Sequence, residues 1–240
     1  MTPHQPALRR LAEGLRDLLL PPRCVGCNEL LPPFEREAAV LCPICRAAWD
    51  KARSDAAALS AEAALRGHAY LILYRSGKTD GVPERLIYHL KHQGDPRAFA
   101  FVAGQLSFAV HMAATEAGHA GAPLFTYPPR RRASVGKDGF DQAERLAKAL
   151  AFACGGEPVS LLRRTHAPAE EQKTLNTEAR RENAAASYAL RRKIAHCVRG
   201  RTVVLCDDLC TTGATLAACE ALLMEAGAAA VVWATVGQTK

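Results

Sequence analysis

The stretch Thr202 to Leu216, TVVLCDDLCTTGATL, limits what this chain can fold into more than any other. Val203 to Cys206 are β-prone and apolar without alternation, the pattern of a buried strand. Two adjacent acids follow, Asp207 and Asp208, then a loop of small residues, Thr211-Thr212-Gly213-Ala214-Thr215, and an apolar helix. A buried strand fixes where such a loop starts. Its small residues let successive backbone N–H groups converge on a phosphate, and the helix N-terminus adds partial positive charge. The two carboxylates can accept hydrogen bonds from vicinal ribose hydroxyls. The order therefore suits a 5-phosphorylated ribose, whereas TTGAT alone would indicate no more than a capped helix.

A second constraint lies near the start. Cys24-Val-Gly-Cys27 and Cys42-Pro-Ile-Cys45 are two C-x2-C knuckles separated by 14 residues. That spacing suits a tetrahedral zinc held by Cys24, Cys27, Cys42 and Cys45, with the metal supplying folding energy to a short segment. The alternative is a pair of redox dithiols, but these open a helix after a strand, and Pro21-Pro22-Arg23 precedes the first pair here. The other five of nine cysteines sit among apolar or helical positions and read as small buried hydrophobes. Upstream, Leu8, Leu11, Leu15, Leu18 and Leu19 mark one face of an amphipathic helix.

The remaining elements alternate. Strands are expected over Tyr70–Tyr74, Pro123–Tyr127 and Ala229–Val236, and helices over Val82–His92, Ala98–Ala114, Asp141–Cys154 and Gly213–Ala226. The Ala-rich, mixed stretch that follows Arg46-Ala-Ala-Trp49 and runs to about Gly67 is a linker or a packing helix. Strand–helix alternation predicts an α/β fold with a parallel sheet covered on both faces. The predicted division is a metal-bearing unit over 1–67 and the α/β domain over 68–240. Pro128-Pro129-Arg130-Arg131-Arg132 follows a strand and would place cations at the carboxyl edge of the sheet, where open α/β folds bind ligands. Lys91 at a helix end either favours the helix dipole or contacts a phosphate. The polar run from Leu161 to Asn183 is either a lid, chiefly 166–182, or an exposed insertion, with a helix over Thr177–Ala186.

Net charge is +7, and residues 130–201 carry 16 basic against 8 acidic groups, more than the whole excess. Such a block attracts polyanions, a pyrophosphate or a nucleic-acid backbone, or it is simply a solvated surface. Apolar runs fall short of the roughly 20 residues of a membrane span and the first residues lack a signal-peptide core, so the expected compartment is the cytoplasm, with no membrane insertion.

The Asp207–Thr215 string resembles the phosphoribosyl-pyrophosphate (PRPP) motif of type I phosphoribosyltransferases. Several further motifs, in order, resemble the ComF family of competence-associated, phosphoribosyltransferase-like proteins, which includes GntX-type members. They are the four cysteines, Leu90-Lys91-His92-Gln93-Gly94, Pro129 to Arg132, Gly139-Phe140-Asp141-Gln142, and Arg164, Thr165, Gln172, Arg180 and Asn183. The resemblance covers most of the chain. It implies a zinc-ribbon-like module before a type I phosphoribosyltransferase fold, PRPP or a related phosphoribosyl ligand, and work in DNA uptake during natural transformation. Two positions depart from the family pattern: Asp138 stands where arginine is usual and Asp141 where asparagine is usual, with Lys137 as partial compensation.

The implied chemistry places the 5-phosphate on Thr211, Thr212, Gly213, Ala214 and Thr215. Asp207 and Asp208 hold the ribose hydroxyls and stabilise a developing oxocarbenium centre, Mg²⁺ bridges diol and pyrophosphate, and Lys91, Arg130, Arg131 and Arg132 neutralise the pyrophosphate. No acceptor site is legible. Three classes thus stand: a phosphoribosyl-binding protein with a basic surface for single-stranded DNA and a partner in the DNA-uptake machinery, a phosphoribosyltransferase acting on a nucleobase or other amine, and a scaffold whose zinc module docks a helicase or another partner protein.

Overall fold

In the computed structural model, the described residues are 21–31, 40–75, 81–118, 121–165 and 186–239. The leucine-faced helix expected over 8–19, the polar segment 166–182 and nearly all of the helix expected over 177–186 lie outside them. So do Gln172, Arg180 and Asn183.

The elements run α1 (Pro43–Ala64), β1 (His68–Tyr74), α2 (Val82–His92), α3 (Pro96–Glu116), β2 (Leu124–Thr126), α4 (Arg132–Asp138), α5 (Gln142–Cys154), β3 (Glu157–Pro158), β4 (Leu162–Arg164) and β5 (Tyr188–Leu190). A 3₁₀ turn (Arg192–Val198), β6 (Thr202–Cys210), α6 (Ala214–Glu225) and β7 (Ala230–Thr239) complete the order. Five strands form a parallel sheet in the order β1-β7-β6-β2-β3, and β4 and β5 form a separate antiparallel hairpin. The α/β class, with helices on both faces and a small four-cysteine module in front, is as expected.

The Ala-rich stretch after the second knuckle is a packing helix. α1 runs 22 residues and lies along β1. Trp49 on α1 is completely buried, with Phe101 of α3 at 5.9 Å between ring centroids. The cysteine module shares its core: Val25, Leu31, Val40 and Leu41 are buried in the same cluster as α1, α2, α3, α5 and the central strands. The opposite face is a second cluster, built from the β4–β5 hairpin, the 3₁₀ turn and α6.

α3 is 21 residues long and apolar enough by length and composition to cross a membrane, contrary to the reading that no run approaches that length. Its Phe99, Val102, Leu106 and Val110 are buried, in the same core as the sheet. Those side chains make it a core helix, which passes the same test of length and composition.

Strand β6 departs most from expectation. It continues through both acids to Cys210, with Asp207 opposite Thr235 and Leu209 opposite Gly237. The long neighbour β7 supplies ladder partners that the local pattern of apolar residues could not announce. The loop is correspondingly short, 211–213, and Ala214 and Thr215 belong to the first turn of α6.

The connections diverge at one place. β2 leads through α5 to β3, its neighbour on one side; β6 leads through α6 to β7, its neighbour on the other. α5 packs with α3 on one face, and α6 packs under the β5 hairpin on the other. The carboxyl ends of β2 and β6 therefore stand where the connections α5 and α6 part to opposite faces, the place where ligands bind in open parallel sheets.

At the other end of the sheet, His68 opens β1. Its Nε2 lies 3.0 Å from Thr235 Oγ1, and its ring packs on Tyr70 and Trp233. Burial lowers its pKa from 6.5 to about 4, so the fold holds it neutral while the unfolded chain protonates it below about 6.5. Stability should therefore fall as pH drops from about 6.5 to about 4, by up to about 3 kcal/mol from this group, and level off below that. Denaturation of wild type against His68→Gln across this range checks it: the variant's pH profile should be flatter by that amount.

Candidate functional site

The carboxyl end of β6 carries both acids. Asp208 is buried and its Oδ1 accepts the Leu209 N–H (2.7 Å). Asp207 Oδ1 accepts the Asp208 N–H (2.8 Å). Burial, then the negative charge of Asp208, pushes the Asp207 carboxyl well above the usual range, and Lys91 opposes this.

Three elements meet at Asp208. Lys91 Nζ, from the last turn of α2, is 3.4 Å from its Oδ2. Gln142 Nε2, from the first turn of α5, donates to the same oxygen at 3.3 Å. The Gln142 side chain is buried, and its Oε1 has no hydrogen-bond partner among the described residues. A buried acceptor left open costs about 1–3 kcal/mol, so beside the two acids it is suited to a ligand hydroxyl or N–H. In the sequence, Gln142 is visible only as part of the Gly139–Gln142 box, without a role of its own.

The segments 90–94 and 139–142 are locked together. Gly94 adopts φ +63°, and a Cβ there would press on Phe140 and Arg145. The Arg145 guanidinium lies over the Phe140 ring at 4.3 Å and donates to the Gly94 carbonyl. Phe140 packs edge-on against Phe99. This clamp sets the distance between Lys91 and Gln142.

The loop after β2 holds its own anions. Asp141 is the N-cap of α5: its Oδ1 accepts from the N–H groups of Ala143 and Glu144, and its Oδ2 from Arg130 N–H at 2.8 Å. Asp138 ends α4 and pairs with Arg130 Nη1 at 2.9 Å and His92 Nδ1 at 3.4 Å. The Arg130 hydrogen bond holds Asp138 below the ordinary carboxylate range. Arg131 and Arg132 are exposed, and Arg132 starts α4 in place of a purely irregular loop.

On the far side of the acids is the 211–215 turn. Gly213 takes φ +72° as N-cap of α6, and a Cβ there would sit 3.2 Å from the Trp233 ring. Thr212 Oγ1 accepts from Ala214 N–H at 3.4 Å. The first turn of a helix leaves N–H groups without helical partners, a ready site for a phosphate. Arg164 and Tyr188 of the hairpin flank this turn, joined by a 3.1 Å hydrogen bond; neither the hairpin nor its tyrosine is legible in the polar sequence around it.

The four module cysteines converge. Their sulfurs all lie within 4.8 Å of one another, with Cys27 and Cys42 at 3.7 Å. A zinc with Zn–S bonds of about 2.3 Å sets its sulfurs about 3.8 Å apart, so the donor set fits a structural ion. The Cys42 N–H points at Cys24 Sγ (3.2 Å). Burial works to raise the Cys24 thiol, but amide hydrogen bonds from Cys42, Cys27 and Gly26 bring it to about 7. Of the remaining cysteines, Cys206, Cys210 and Cys219 are buried, while Cys154 and Cys197 are only partly so.

No protein-family model matches the chain, and no curated protein matches it. Among solved structures, the allosteric regulatory enzyme of purine biosynthesis aligns with 62% of this chain at 17% identity and a TM-score of 0.38. The chain spans about 30% of that enzyme's length. The protein TT1426 from Thermus thermophilus aligns with 59% of this chain and 73% of its own, at 23% identity and a TM-score of 0.33. Both likenesses are partial.

Elemental analysis of the purified protein should find one zinc per chain. Cys45→Ser should lose it and lower the thermal midpoint by roughly 10 °C or more; full thermal stability without metal would contradict the structural role. Gly213→Ala should cost about 1–2 kcal/mol in chemical denaturation, because alanine is strained at positive φ and its methyl meets Trp233.

Proposed function

We propose that this protein binds a ribose 5-phosphate group in the crevice between β2 and β6, and that its fold is of the type I phosphoribosyltransferase kind. The observation that carries the reading is the juxtaposition at the end of β6. Two acids suited to a diol stand immediately before a glycine-capped helix N-terminus suited to a phosphate, at the one place where the sheet connections diverge. The 5-phosphate would rest on the amides of Thr211, Thr212, Gly213, Ala214 and Thr215. Asp207 and Asp208 would accept the ribose hydroxyls, with Lys91 and Gln142 positioning Asp208. Mg²⁺ has fitting oxygen donors in Asp207 and Asp208, where it would offset the adjacent negative charges and favour the ionised form of Asp207.

The division of labour we infer is a zinc-held unit over 1–67 seated on a ligand-binding body over 68–240. Zinc there is structural, since four thiolates leave no open position. The resemblance to the ComF family supports PRPP or a related phosphoribosyl compound as the ligand class and a setting in DNA uptake. Transfer to a nucleobase or other amine would need an acceptor pocket beside the acids.

Calorimetry tests the binding reading. Ribose 5-phosphate with Mg²⁺ should bind the wild type, and Asp207→Asn with Asp208→Asn should weaken binding at least about tenfold, two lost charged-group hydrogen bonds being worth more than about 1.4 kcal/mol. Equal affinity in a folded double variant would exclude the acids from the site.

A second reading rests on Arg131 and Arg132, which are exposed and make no ion pair among the described residues. Together with the exposed Arg192, Lys193 and Arg199 they offer cations to a polyanion such as single-stranded DNA. Charge reversal at Arg131 and Arg132 should weaken binding of a single-stranded oligonucleotide several-fold and flatten its salt dependence. Unchanged binding at low salt would rule this surface out as the DNA site.

A further inference from the structure

Resting on the phosphoribosyl reading, we infer that the site selects a ribose 5-phosphate group bearing no diphosphate at C1, and that Asp138 is the residue that excludes the diphosphate.

The loop between β2 and α5 presents the cations and amides that could receive a second anion at this edge of the sheet. Arg131 and Arg132 are exposed and make no ion pair among the described residues, while Arg130 and the amides that open α5 already have a carboxylate. The Arg130 guanidinium is held by Asp138 at 2.9 Å, and the Arg130 N–H by Asp141 at 2.8 Å. The N–H groups that open α5 are taken by the other oxygen of Asp141. His92 faces Asp138, and Lys91 is engaged by Asp208. The cationic side chains paired here, Lys91, Arg130 and His92, thus meet Asp138 and Asp208, with Asp141 on the Arg130 amide.

These contacts are built. Asp138 and Arg130 are 9% and 23% exposed in their side chains, and Asp138 is fixed from two elements, α2 and the loop after β2. Asp141 is buried and caps its helix, so it cannot leave without exposing the first amides of α5. A diphosphate would have to displace one carboxylate or lie against several, and like charges at close range in a partly buried site are strongly unfavourable. The 5-phosphate has no such competitor. Its amides lie beyond Asp207 and Asp208, at the start of α6, and the first turn there carries no acidic residue. The two anion positions thus differ: the amides at the start of α6 meet only the neutral Thr212 hydroxyl, whereas Arg130 and the first amides of α5 are held by carboxylates.

Asp138 is the adjustable member of this set. Its neutral isostere keeps the shape of the contact with Arg130 but removes the charge that holds the guanidinium. Asp138→Asn should free Arg130 for a diphosphate while leaving the turn at 211–215 untouched.

The decisive experiment is calorimetry with Mg²⁺ on wild type and Asp138→Asn, using ribose 5-phosphate, PRPP and inorganic pyrophosphate as separate probes. Wild type should bind ribose 5-phosphate at least as tightly as PRPP, with pyrophosphate failing to compete. In Asp138→Asn the PRPP affinity should rise about tenfold or more relative to ribose 5-phosphate, the scale of one freed charged contact. A wild type that binds PRPP more tightly than ribose 5-phosphate, or a variant with an unchanged ratio, overturns the selectivity. Binding of neither ribose compound by either protein overturns the phosphoribosyl reading itself. Should the variant not fold, the wild-type ratio alone decides, since preference for PRPP contradicts the inference directly.

Discussion

The divergence of the sheet connections between β2 and β6 is the constraint on which the rest depends. Because α5 and α6 leave their strands for opposite faces, the carboxyl ends of these two strands mark the point where the connections part, the usual ligand position in an open parallel sheet. Both ends are used. β6 runs past its apolar core into Asp207 and Asp208, and β2 leads into Pro128, Pro129 and Arg130. A strand that ended at Cys206 would leave the acids on a free loop; β7 holds them in register through Thr235 and Gly237 instead.

Position alone would not assemble the site. Lys91 and Gln142 come from separate helices, and the Gly94–Phe140–Arg145 clamp determines that both reach one oxygen of Asp208. The clamp needs a glycine for its close approach and a planar aromatic under a guanidinium, which explains why Leu90–Gly94 and Gly139–Gln142 read as motifs although neither resembles a catalytic triad or a metal site. The four cysteines act at a distance. Their module joins the main core through Val25, Leu31 and Leu41, so a metal held there would stabilise the face of the sheet that supports α2 and α3.

Much of this is legible in residue order. Unbroken apolar runs mark β6 and β7, period-3.6 patterns mark α2, α3 and α5, and cysteine spacing marks the module. What the order of residues conceals is of three physical kinds. Strand ends depend on ladder partners remote in sequence, so the extension of β6 through charged residues is invisible. The short strands β3, β4 and β5 are too brief for a period to develop, and tertiary packing against α6 stabilises the β4–β5 hairpin. Side-chain pairing across elements is also hidden. Arg130 reads as a free cation in the sequence, yet in the fold Asp138 engages its guanidinium and Asp141 its backbone N–H.

The central claim is that a phosphate and a ribose diol share the end of β6. A crystal structure of the protein grown with ribose 5-phosphate and Mg²⁺ tests it most directly. The phosphate should lie on the backbone amides of 211–215, with the ribose hydroxyls within hydrogen-bond reach of Asp207 and Asp208. A phosphate bound instead at Arg131 and Arg132, with the β6 crevice empty, would contradict it.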